Sequence, residues 1–256
     1  MLIFKLTITP LLIGLISLAD KRWGATVGGW LIGLPLTSAP ITAFVAFEVG
    51  PAFAAHMALG ILMGLLSQAL FCITYAWLAS RLNWLGCWLI GWAVFGLSTL
   101  ILNQLTVPIM LVFLILSMVL GLILAYWPSI SSQSGSMAPP AWALWGRMGA
   151  ATSMVVILTS SARLLGPQLS GLLAPLPIFA TVFTIFAHSL QGVRPARQIL
   201  HGVIVSSFAC AMFFIVIGSG IEHWGVGLTF GIATCAALLT QAVMLVLVRY
   251  LRKKAS

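Results

Sequence analysis

Apolar runs occupy almost the whole chain. Residues 2–19, 23–48, 52–80, 83–103, 107–127, 141–162, 166–190, 198–218 and 224–248 each hold about the twenty residues a helix needs to cross a bilayer core, or somewhat more. No run alternates between polar and apolar with the period of two that a membrane β-barrel requires, and a continuously apolar span must satisfy its backbone internally, as a helix does. With 61% hydrophobic and 6% charged residues, there are too few polar groups to cover a water-soluble surface. The expectation is an all-α, polytopic integral membrane protein with about nine transmembrane helices in a single membrane domain, residues 1–256. The short polar break Asn103-Gln104-Leu105-Thr106-Val107-Pro108 either separates two spans or bends one.

The net charge of +9 arises from twelve basic residues against Asp20, Glu48 and Glu222. The bases lie at span ends, where they set orientation and meet lipid phosphates, so membrane lipids are expected partners and nucleic acid is not. With the N-terminus outside and the C-terminus cytoplasmic, Lys21, Arg22, Arg81, Arg147, Arg194, Arg197, Arg249, Arg252, Lys253 and Lys254 fall inside, and only Lys5 and Arg163 outside. That bias is the positive-inside pattern. Cys72, Cys87, Cys210 and Cys235 lie within spans without metal-ligand spacing and read as buried small residues. No HExxH, GxSxG, phosphate-binding loop or intraspan carboxylate pair is present, so neither an enzyme nor a bound cofactor or metal is expected.

Sliding the chain against itself by the separation of Gly50 and Gly192 aligns the halves without a gap from about residue 4 to residue 75. Gly24 falls on Gly166, Gly29 on Gly171, Pro35 on Pro177, Thr42 on Thr184, Gly60 on Gly202 and Phe71 on Phe213. Lys5 falls on Arg147 and Lys21 on Arg163. The Gly and Pro matches weigh most, because they mark backbone geometry. Ser17-Leu18-Ala19 imitates a signal-peptide cleavage site, but Lys5 belongs to the repeat, so the first span is expected to stay as a helix. Four spans return a chain to the face where it began. The odd fifth span therefore inverts the second copy, giving repeat 1 (1–104), a linker helix and Ser/Pro loop (105–140) and repeat 2 (141–256). Inverted repeats with broken helices are a plan of secondary transporters.

The run Ser170-Gly171-Leu172-Leu173-Ala174-Pro175-Leu176-Pro177-Ile178-Phe179-Ala180-Thr181, followed by Phe186-Ala187-His188 and Gly192, resembles the small GlpM-like inner-membrane proteins of Gram-negative bacteria. Those proteins are about one repeat long. The resemblance implies a bacterial inner-membrane location and a link with exopolysaccharide (alginate) production, and it brings no catalytic residues.

Pro35 and Pro177 are expected to break their helices near mid-membrane, where each has lost an amide donor. Thr37, Ser38 and Thr42 follow the first break, and Thr181 and Thr184 the second, although Phe179 and Ala180 stand opposite Thr37 and Ser38 in the register. A helix restarting after the first break aims its N-terminal amides at its surroundings and favours an anion. Gln68 is polar in mid-span. Lys5, Lys21, Arg147 and Arg163 either snorkel to headgroups or attract an anion at the two mouths. His56, His188 and His201 have no partner at helical spacing. Gly24, Gly28, Gly29 and Gly33, Gly60 and Gly64, and Gly202 with Ser206 are candidate close-packing positions. The sequence points first to a transporter of a small anionic solute or lipid-linked anion, with a non-transporting scaffold of envelope polysaccharide synthesis as the alternative. A homodimer is an open arrangement.

Overall fold

A computed structural model describes residues 2–35, 38–128, 142–150, 152–153 and 177–255. In chain order the helices are α1 (Leu2–Trp23), α2 (Ala25–Gly33), α3 (Ser38–Glu48), α4 (Pro51–Leu78), α5 (Trp84–Leu102), α6 (Ile109–Ala125), α7 (Ile178–Gln191), α8 (Val193–Trp224) and α9 (Val226–Ala255). Residues 142–150 are also helical, and there is no strand among the described residues. Among the described residues five segments are long and apolar enough to cross a membrane: Ala25–Glu48, Pro51–Leu78, Trp84–Leu102, Val193–Trp224 and Val226–Val248. Ile109–Ala125 and Ile178–Gln191 are shorter apolar helices. The polar stretch after residue 102 does separate two helices, since α5 ends at Leu102 and α6 starts at Ile109.

Large apolar side chains face outward along these helices, among them Leu97, Leu100, Leu114, Met118, Leu239 and Val246. Trp77, Trp84, Tyr126, Trp142 and Trp224 are exposed near helix ends, as in the aromatic belts of membrane proteins. Cys72, Cys87 and Cys210 are buried, but Cys235 is exposed on the outer face of α9, contrary to expectation.

At the centre lies α8, buried along most of its length. α4 runs antiparallel to it. Near the start of α8, the Arg197 guanidinium donates to the Ala76 carbonyl oxygen at 2.8 Å and to Ser80 Oγ at 3.2 Å, at the end of α4. At the other end, a Cβ added to Gly218 would lie 3.4 Å from Ala58 Cβ and 3.6 Å from the Ala55 carbonyl oxygen, at the start of α4. Between these ends the two helices share a core containing Leu62, Leu65, Phe71, Leu200, Phe213 and Phe214. α6 packs against both α4 and α8.

The nine-residue α2 crosses α8 on small residues. A Cβ on Gly29 would strike the Ile199 carbonyl oxygen, and one on Gly202 would lie 2.5 Å from the Thr26 carbonyl oxygen and 2.9 Å from Gly29 Cα. One turn further, Gly33 leaves room for Ser206 Oγ. Gly29 and Gly33 thus oppose Gly202 and Ser206, the small-residue pairing that lets membrane helices touch backbone to backbone. Gly60 does not share this role among the described residues: it is exposed, and a Cβ there would meet nothing within 4 Å. Gly24 is a joint between α1 and α2 and not a packing position.

Gly29→Ala and Gly202→Ala are each expected to cost about 1–3 kcal/mol, because the new methyl meets backbone that cannot turn aside. Gly121→Ala on the exposed face of α6 should be neutral or gain up to about 1 kcal/mol of helix propensity. Thermal midpoints of the purified variants in one detergent check both.

Candidate functional site

The first break opens on an extended residue. Leu34, at the end of α2, has φ −72° and ψ 152°, and α3 restarts at Ser38 with the Ala39 amide donating to the Pro35 carbonyl oxygen at 2.9 Å. Pro35 and Ser38 are half-buried. Thr42 is fully buried, and its hydroxyl donates back to the Ser38 carbonyl oxygen at 2.8 Å. Thr37 and Arg163 lie outside the described residues, as does the side chain of Lys5. Pro177 is buried immediately before α7, and its carbonyl oxygen accepts from the Thr181 amide at 2.7 Å. Leu34 and Ala39, flanking the first break, join the same apolar cluster as Ala180 in the first turn of α7 and Leu200, Val203 and Ile204 of α8.

Along α7 the polar groups divide by partner. Thr181 accepts from Trp92 Nε1 of α5 at 3.1 Å. Thr184 is fully buried, and its hydroxyl has no hydrogen-bond partner among the described residues. His188 Nδ1 lies 3.2 Å from the Tyr75 hydroxyl of α4 in an edge-on ring contact. A partner for His188 therefore exists, 113 residues away in sequence, where no local spacing could reveal it.

Arg147 occupies a very different place from the membrane-surface position read for it. Its Nη1 donates to Asp20 Oδ2 at 2.8 Å, with side chains only 3% and 9% exposed. The guanidinium carbon stands 4.7 Å from the centre of the Phe183 ring on α7. Phe183 belongs to a buried apolar cluster with Ile13, Ile16, Val182, Ala187 and Ile199. Gly28 makes room for the acid, since a Cβ there would be 3.0 Å from Asp20 Cβ. The guanidinium Nε and Nη2 atoms are buried without a partner among the described residues.

Lys21, one residue after Asp20, is exposed in the last turn of α1 and does not join this group. Gln68 is half-buried on α4. Of the basic and polar candidates, the structure gathers Arg147, Thr181 and Thr184 on or against α7. It adds three groups that the sequence did not single out, Asp20, Tyr75 and Trp92. Among the described residues no three His, Cys, Asp or Glu side chains could hold a metal ion together. No family model, curated protein or solved structure matches the chain.

Truncating one member of a buried ion pair leaves the other charge uncompensated, at a cost of about 3–5 kcal/mol, whereas removing both charges is often neutral. Asp20→Asn and Arg147→Met are each expected to destabilise by that order, and the double variant by much less than the sum. A double-mutant cycle on thermal midpoints measures the coupling.

Proposed function

We propose that the chain is a secondary transporter of the bacterial inner membrane that moves a small anionic solute or lipid-linked anion by alternating access between two inverted four-helix repeats. In this reading there are nine spans, with the N-terminus outside and the C-terminus in the cytoplasm. One observation carries it. Ala55 and Arg197 stand in the same register as Gly50 and Gly192, and so do Ala76 and Gly218. Exchanging the halves therefore turns the contact of Gly218 with Ala55 into that of Ala76 with Arg197, the two contacts at opposite ends of the antiparallel α4–α8 pair. A contact between i and j repeated between j and i is the signature of a two-fold relation. Equivalent helices that run antiparallel require its axis to lie across them, as in inverted transporter repeats.

Other features agree. α4 starts at Pro51 and α8 at Val193, α5 at Trp84 and α9 at Val226, all at one offset. α5 packs on α7 and α9 on α3, and the exchange converts one pairing into the other. Contact of α6 with both α4 and α8 suits a linker helix near the axis. The interrupted α2–α3 helix supplies the broken element that such transporters use for binding. A polar hydroxyl buried without a partner, as at Thr184, is the kind of group that a bound solute satisfies.

The second reading, a non-transporting scaffold for envelope exopolysaccharide synthesis of the kind that the GlpM-like resemblance implies, is favoured by one observation. At the start of α7, Pro177 is buried and Thr181 is already bonded to Trp92, so these two candidates are engaged by protein.

A reporter active only in the periplasm is expected to be active when fused after Gly50 and silent after Gly192. The same result at both positions would overturn the inversion. Thr184→Val keeps volume and removes the hydroxyl, so it should lower solute uptake several-fold at unchanged membrane level. Pro35→Ala and Pro177→Ala, singly and together, should likewise lower uptake more than protein level. Loss only in proportion to lost protein would favour the scaffold.

A further inference from the structure

We infer that Arg147 is an oxyanion receptor, binding a carboxylate or phosphate group through its Nε and Nη2 edge while Asp20 serves as the internal anion that holds the guanidinium in place. A guanidinium has five N–H donors in a rigid plane, and its Nε–H and Nη2–H bonds point the same way along one edge. That edge matches two oxygens of a carboxylate or phosphate, which makes the contact bidentate. Asp20 uses the other nitrogen, Nη1, through a single oxygen. The donors without a partner are therefore the two that form the fork.

Three features make this a built site. The Arg147 side chain is 3% exposed, so the two N–H groups on that edge have exchanged water for nothing the described residues supply. Leaving donors of a charged group unsatisfied costs more than leaving neutral ones. The guanidinium is fixed on both sides, by Asp20 at Nη1 and by the Phe183 ring at 4.7 Å, where the ring face attracts a cation. The Phe183 ring against which the guanidinium lies belongs to a buried apolar cluster with Ile13, Ile16 and Val182, so an anion at this nearly fully buried group meets a weakly screened positive edge.

Asp20 gives the site its reversibility. A lone buried guanidinium would hold an anion too tightly to release it and would destabilise the empty protein. With Asp20 present, the incoming oxyanion shares the charge with an anion already in place, which weakens binding and keeps the protein stable between ligands. Gly28 belongs to this arrangement because its missing side chain lets Asp20 reach Arg147. The assignment rests on the transport reading for its purpose, but its test reads binding and not uptake, so either can fail without the other.

The experiment is an oxyanion titration of purified full-length protein, followed by thermal midpoint and tryptophan fluorescence. Inorganic phosphate and acetate are the probes in detergent. Nanodiscs of phosphatidylcholine, with and without phosphatidylglycerol, supply the lipid arm. Ligand that binds only the folded state raises its midpoint. Wild type should be stabilised. Asp20→Asn should start lower, recover with added oxyanion, and bind at least about tenfold more tightly, because its internal competitor is gone. Arg147→Lys keeps a charge for Asp20 but lacks the fork, and should bind at least about tenfold more weakly. A response to phosphate or acetate identifies a soluble anion as the ligand, and one confined to phosphatidylglycerol identifies a lipid headgroup. No response of wild type and Asp20→Asn in any arm, or an equal response of Arg147→Lys, overturns the assignment. If Arg147→Lys does not fold, the comparison of Asp20→Asn with wild type decides: equal affinities count against it.

Discussion

Backbone contact between α2 and α8 at Gly29 and Gly202 is the constraint on which the arrangement depends. In lipid there is little hydrophobic gain in bringing two apolar helices together, so association comes from close packing. α2 has only nine residues and does not span the membrane alone. It keeps its place because the missing side chains let carbonyl and Cα groups meet directly. With α2 fixed on α8, the end of α2 and the restart of α3 are held beside Val203 and Ser206. The first break is thus positioned by a backbone-to-backbone contact.

The joints between successive helices differ in their backbone. Gly50, with φ 122°, links α3 to α4, and Gly192, with φ 92°, links α7 to α8. Such backbone angles are open to glycine at little cost and let one residue turn the chain between two helices. With Pro51 opening α4 there is no slack in the first joint. α3 and α4, and α7 and α8, thus turn into one another across a single positive-φ glycine, whereas α2 leaves its seat on α8 through the extended residue Leu34.

How much of this could be read in the sequence follows from the range of each signal. Apolar length and the absence of alternation sufficed for the all-helical class, though not for the number of spans. Proline and glycine act on their own backbone, so the step at Pro35, the start of α7 after Pro177 and the small-residue faces at Gly29 and Gly33 and at Gly202 and Ser206 were visible as local chemistry, while the meeting of those two faces was not. Side-chain pairing across the fold was not. Asp20 and Arg147 are separated by 127 residues, Tyr75 and His188 by 113, and Trp92 and Thr181 by 89. Nothing near Asp20 distinguishes it from an interfacial acid, and Arg147 sits at a span end, where surface exposure is the usual outcome. Cys235 looked buried because its run is apolar, yet in lipid an apolar residue has no reason to turn inward.

The energetics of Asp20 and Arg147 bear on why they are there. Glu48 and Glu222 are exposed, so Asp20 is the one acid of three that is drawn into the interior. It neutralises a guanidinium that is almost fully buried and lies against the Phe183 ring. Desolvating two charges costs several kcal/mol each, and two apolar residues of similar volume would often give equal or greater stability. Stability is therefore a poor reason for the pair. A single hydrogen bond from Nη1 also uses the guanidinium incompletely, whereas a pair serving only the fold would be expected to engage its bidentate edge. Charge neutralised at one nitrogen, with the paired donors turned elsewhere, suits a cation that must remain ionised and held still while it waits for a second anion.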